Sequence, residues 1–139
     1  MDQFSAFMAE NVEKLDNKKI TVSKRFKDAK GTPIEWEIKA VTCEENEDLQ
    51  RRSMVQKRGP NGQMIREMDQ IKYTSLLLAE SVVYPDLNNA ALQDSYKVKT
   101  PDALLKKMLY PSEEALLAQE VMQFSQIENL AEKIDEAKN

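Results

Sequence analysis

Histidine is absent from the 139 residues. That excludes Ser-His-Asp and Cys-His nucleophilic systems, imidazole general bases and every zinc site that needs His. The single cysteine can make neither an internal disulfide nor a Cys₄ centre, which fits a reducing compartment. Glycine and proline number only three and five, so the backbone is rarely interrupted and long helices are favoured. Apolar runs such as Leu76–Ala79 fall far short of the roughly 20 residues of a membrane helix. No apolar stretch follows a basic N-terminus, as a signal peptide requires. The expectation is a soluble, cytosolic protein with no membrane contact.

What is present is one domain's worth of chain, 16.0 kDa. Charged residues make up 32%, while Leu, Ile, Val and Phe sit only a little above the roughly 20% below which charged chains stay disordered. A thin core follows. The net charge of −4 and pI of about 5.0 do not suit a phosphate backbone, so no nucleic-acid partner is expected. The charge is uneven, however. Residues 14–30 carry a net +5 and residues 112–139 a net −5. Such poles suit contact between the two ends, within one chain or between copies.

Periodicity divides the chain into four stretches. In 1–17, Phe4, Phe7, Met8, Val12 and Leu15 recur at helical spacing and predict a short amphipathic helix. In 18–41, Ile20, Val22 and Phe26, then Ile34, Trp36, Ile38 and Ala40, alternate with polar residues, which predicts two strands. The link Asp28-Ala29-Lys30-Gly31-Thr32 suits a three-residue hairpin loop with Gly31 left-handed. That register pairs Asp28 with Thr32, Phe26 with Ile34, Lys24 with Trp36, Val22 with Ile38 and Ile20 with Ala40, and sets Arg25 against Glu35.

The stretch 42–111 reads as a helical core. Thr42 and Glu45 form a capping box, and acids give way to Arg51, Arg52, Lys57 and Arg58 along a helix ended by Gly59-Pro60-Asn61-Gly62. Residues 63–68 are ambiguous. Residues 69–83 form the most apolar helix, stopped by Pro85, with Val82 and Val83 in the core. Asn88 would cap the next helix; Thr100 with Pro101 starts another, broken by Pro111. In 112–139 Ser112 caps a last helical segment ending in the seam Ile127, Leu130, Ile134, Ala137, which needs something to lie against. The fold class expected is α+β: one antiparallel β-hairpin packed on a mostly α-helical body, with helical N- and C-terminal segments.

Catalytic candidates are poor. Glu37-Ile38-Lys39 imitates the acid-x-Lys element of metal nucleases, but the upstream acid is missing. Cys43 opens a helix, where the dipole lowers a thiol pKa, yet acids crowd it and no imidazole can act as base. The three glycines form no phosphate-binding loop. Neither catalytic residues, a metal site nor a cofactor is expected. Seven methionines serve as core filler or as a soft binding surface.

The stretch Leu78-Ala79-Glu80-Ser81-Val82-Val83-Tyr84-Pro85-Asp86-Leu87-Asn88, with Leu92-Gln93-Asp94-Ser95-Tyr96, resembles the signature of the XkdN-like phage tail assembly chaperones of Gram-positive phages and phage-like elements. Residues 22–28, 34–38, 103–109 and 136–139 extend the likeness, and Lys97 departs from it where glycine is expected. The resemblance implies a non-catalytic protein of the bacterial host cytoplasm. It would bind the tape measure protein, keep it soluble and promote tail tube assembly without remaining in the mature virion. It also implies the tail tube protein and a longer, frameshifted form of the chain as further partners. The partner-binding residues expected are Phe4, Phe7, Met8, Ile127, Leu130 and Ile134. The signature residues Ser81, Val82, Val83, Tyr84, Pro85, Asp86, Leu87, Asn88, Gln93, Asp94, Ser95 and Tyr96 are expected to be structural. A self-associating structural or adaptor component of a phage particle is the alternative, a homo-oligomer joined through its charged poles.

Overall fold

A computed structural model describes residues 2–127. Its elements run β1 (Lys18–Ile20), β2 (Trp36–Ile38), α1 (Cys43–Arg52), β3 (Met54–Arg58), β4 (Met64–Met68), α2 (Gln70–Ser81), β5 (Val82–Tyr84), α3 (Ala90–Ser95), α4 (Pro101–Met108) and α5 (Pro111–Phe124). The class is α+β. A three-stranded antiparallel sheet, ordered β1-β2-β5, packs on the helices, and β3 and β4 form a separate two-stranded hairpin.

The first hairpin forms with the expected turn. Asp28 N–H donates to Thr32 O (3.0 Å) and Ile34 N–H to Phe26 O (2.8 Å). Gly31 takes φ +83°, and Asp28 Oδ1 accepts from the N–H groups of Lys30 and Thr32. Beyond the turn the register slips. Ile20 pairs with Trp36 and Lys18 with Ile38, so the pairings expected for Lys24, Val22 and Ile20 are not made. Six positions separate Ile20 from Phe26 but only two separate Ile34 from Trp36, so four residues of the first arm leave the ladder. An even offset preserves the side-chain faces. Ile20, Val22, Trp36 and Ile38 are accordingly all buried. The excursion also carries Arg25 away from Glu35 to the α4–α5 corner.

Thr42 caps α1 with its full capping box: Glu45 N–H donates to Thr42 Oγ1 (3.2 Å) and Thr42 N–H to Glu45 Oε1 (3.0 Å). The helix stops at Ser53, much earlier than the glycine-proline turn. The basic stretch after it is strand β3, paired residue for residue with β4 around that turn. The ambiguous residues 63–68 are thus extended. In the same way α2 ends at Ser81, and Val82 and Val83, stiff β-branched residues, add a third strand to β2. Tyr84–Pro85 is cis.

Two caps differ from expectation. Asn89, not Asn88, caps α3 through Leu92 N–H (2.9 Å). Helix α4 ends at Met108, before Pro111 as expected, but Pro111 also begins α5, and Tyr110 rather than Ser112 sits at the cap. Its N–H donates to Glu113 Oε1 (2.8 Å). At the other end, the helix expected over 3–15 is a single 3-10 turn, Ser5–Phe7.

The core is formed where α2 meets α1, α4, α5 and the sheet. Trp36, Ile38, Leu49, Leu77, Leu78, Leu87, Leu104, Leu117 and Val121 are fully enclosed. Helix α2 is central, as its composition demands, although Ile71 at its start is exposed.

Candidate functional site

Two of the catalytic candidates, Glu37 and Lys39, are engaged in structural pairing. Lys39 Nζ donates to Glu45 Oε2 and Glu80 Oε1, both at 3.1 Å. Partial burial lowers its pKa, but the hydrogen bonds and charges of Glu80 and Glu45 outweigh that and hold it above the usual lysine value. Glu37 accepts from Asn17 Nδ2 (3.3 Å). Cys43 is an exposed free thiol. Among the described residues no group of His, Cys, Asp or Glu is placed to hold a metal ion, and no helix is long and apolar enough to cross a membrane.

The charged poles meet within the chain. Arg25 Nη2 and Nε bind the two carboxylate oxygens of Glu113 at 2.5 and 3.1 Å, and Nη2 also donates to Met108 O (2.8 Å). The guanidinium lies 4.6 Å from the Tyr110 ring centroid and 5.0 Å from that of Phe26. Hydrogen bonds from Arg25, from the Ser23 hydroxyl and from Tyr110 N–H pull the Glu113 carboxyl down to about 2. Lys18 and Glu120 pair at 2.7 Å further along α5. Ser125 Oγ accepts from Val41 N–H (3.0 Å) at its end. Helix α5 is thereby fastened to the first hairpin along its length.

The expected partner surface divides. Phe4, Phe7 and Met8 are 75%, 82% and 43% exposed, and Val12 and Leu15 are exposed beside them in sequence. Ile127 instead packs against the protein's own core. Leu130 and Ile134 lie outside the described residues. The N-terminal half of the set is open to a partner, and Ile127 is occupied at home.

Several residues of the signature segment make contacts within the fold. Ser81 is buried, and its carbonyl accepts from Lys39 N–H (2.9 Å), joining α2 to the sheet. Val82 is in the core, whereas Val83 is 41% exposed on the outer side of β5, contrary to its expected burial. Tyr84 is exposed beside it. Asp86 Oδ1 accepts from Asn88 N–H (3.0 Å), shaping the turn before α3. Gln93 Nε2 donates to Leu87 O (2.8 Å), and Ser95 Oγ to Leu92 O (2.7 Å). Asp94 O accepts from Lys97 N–H (3.0 Å) as the chain turns after Tyr96. Lys97 takes φ +59°, the conformation that the glycine expected there adopts without strain.

Sequence reasoning missed a second exposed surface. Met64 and Ile65 on β4 are 59% and 39% exposed on a hairpin whose outer residues all face solvent. The turn at Gly59–Gly62 was the available signal. The strand side chains, mixed polar and apolar on both faces, carried no alternation.

A small α+β body that carries the Ser81–Tyr96 segment and bears an exposed apolar N-terminal segment fits a phage tail assembly chaperone. Residues 4–138 match the family described as "Phage XkdN-like tail assembly chaperone protein, TAC", and the chain belongs to that family. The phage-like element PBSX protein XkdN of Bacillus subtilis (strain 168) is 28% identical over 105 residues, 76% of this chain and 71% of that protein. The uncharacterized protein YqbN of the same strain is 26% identical over 105 residues, 76% and 70% of the two chains. The crystal structure of YqbN superposes with a TM-score of 0.77 at 21% identity, covering 92% of this chain and 99% of that one, and shares the fold.

Proposed function

We propose that this protein acts without catalysis in the host cytoplasm, binding the tape measure protein, keeping it soluble and promoting tail tube assembly before leaving the finished particle. The observation that carries this reading is the N-terminal stripe: Phe4 and Phe7 are three-quarters or more exposed on a segment with no packed partner of its own among the described residues. A long helical protein awaiting enclosure has apolar seams to cover, and an amphipathic segment with aromatic anchors supplies the cover. Family membership supports the tail assembly part of this reading. The binding surface is Phe4, Phe7 and Met8, with Leu130 and Ile134, which lie outside the described residues, added on the sequence alone.

Two contacts between the poles, Arg25–Glu113 and Lys18–Glu120, are made inside one chain, which supports the chaperone reading over the structural-component alternative, a homo-oligomer joined through those poles. The test is affinity capture of the tape measure protein by the full chain and by the Phe4→Ser/Phe7→Ser variant. Both substitutions fall on exposed positions, so the fold stays intact and capture should drop at least tenfold. Equal capture by variant and parent would remove the N-terminal stripe from the interface.

A further inference from the structure

The β3–β4 hairpin has two faces set by its register. Met54 with Met68, Gln56 with Arg66, and Arg58 with Met64 lie opposite one another and share one face. Val55 with Glu67 and Lys57 with Ile65 share the other, where Lys57 and Glu67 pair at 3.1 Å. On the first face Met64 lies between Arg58 across the ladder and Arg66 two positions on, whereas Met54 and Met68 at the other end are partly buried, Met68 against the core. Neither arginine makes an ion pair with a described residue, and Met64 is 59% exposed. A soft, exposed methionine between two cations forms an adaptable seat for an acidic apolar segment.

The chain carries such a segment. Residues 2–16 hold Asp2, Glu10, Glu13 and Asp16 against Lys14 alone, together with the exposed Phe4, Phe7, Met8, Val12 and Leu15. It is partly ordered for docking. Asp2 Oδ1 accepts from Ser5 N–H (2.7 Å), Phe7 N–H donates to Phe4 O (3.0 Å), and Val12 N–H donates to Met8 O (3.1 Å).

We propose that the occupant of the methionine–arginine face is the N-terminal segment of a second copy, so that the chain associates head to tail. The two surfaces are opposite in charge, and each exposes apolar side chains among its charges, Met64 on the hairpin and Phe4, Phe7 and Met8 on the N-terminal segment. They are also different patches, so the contact is heterologous, and a copy engaged at one patch keeps the other available. The proposal draws on the same N-terminal residues as the tape measure reading, and its test uses the isolated full chain so that each can fail without the other.

The test combines sedimentation with cross-linking. In a Cys43→Ser background, Phe7→Cys and Met64→Cys chains are mixed and oxidised, with mass spectrometry locating the bridge. The expected results are a Phe7→Cys to Met64→Cys bridge between copies and concentration-dependent association of the unmodified chain. Association should weaken at least tenfold in Arg58→Glu/Arg66→Glu and at high salt. Circular dichroism checks that these surface variants are folded. A monomer at every concentration would overturn the proposal and assign both surfaces to other proteins. So would association indifferent to the arginine exchange, or a chain carrying both cysteines that closes only on itself.

Discussion

Lys97 and Arg25 show two ways in which single residues shape this fold. Lys97 occupies the left-handed region at φ +59°, where a side chain costs roughly 1–2 kcal/mol. The turn requires it there, since Lys97 N–H and Val98 N–H close on Asp94 O and Gln93 O at the end of α3. Glycine would relieve the strain, partly offset by the greater freedom of the unfolded chain. Lys97→Gly should therefore stabilise the protein by about 1 kcal/mol, read as a higher Tm with an unchanged circular dichroism spectrum. Arg25 contributes through position. It sits at the carbonyl end of α4 and the amide end of α5 at once, stacked on Tyr110 and Phe26, and a lysine could not reproduce the forked contact.

Among the elements, α5 depends most on such fastening, and its dependence has a pH signature. Glu113 has its folded pKa depressed from 4.5 to about 2. Its stabilising contribution is complete above about 4.5 and is lost as the pH falls through the folded value. Glu113→Gln should lower the Tm at neutral pH, and the difference from the parent should shrink between pH 4.5 and 2. A difference that stays constant across that window would show that the carboxylate charge does not hold the helix. The elements also show where the sequence could be read. Capping residues with one physical role, Thr42 and Thr100, marked their helices correctly, and Gly31 marked its turn. Strands β3 and β4 were hidden because Gln56, Lys57, Arg58, Arg66 and Glu67 face water on both sides and so carry no period-2 pattern. Strand β5 was hidden because Val82 and Val83 continue the apolar run of α2; only the open edge of β2 makes them extended. The register slip in the first hairpin had no local signal either. It carries Arg25 to Glu113, 88 positions away in the chain.

At the scale of the whole molecule, the core is spent on holding α2 among its neighbours, and the largest group of exposed apolar residues lies on the N-terminal segment. Of the six residues expected to bind a partner, Phe4, Phe7 and Met8 are open, while Ile127 is packed inward. Helical spacing alone could not separate an apolar stripe that docks at home from one that stays open, because both bear the same periodicity. A body fastened at α5 and open at its N-terminus suits reversible cover of another protein's apolar seams. The central claim is tested most directly by co-expressing the tape measure protein with and without this chain and measuring the soluble fraction of the tape measure protein. A severalfold rise in soluble tape measure protein, with the two co-purifying, is the expected result. A tape measure protein equally insoluble in both cases, beside a folded and soluble chain, would contradict the claim.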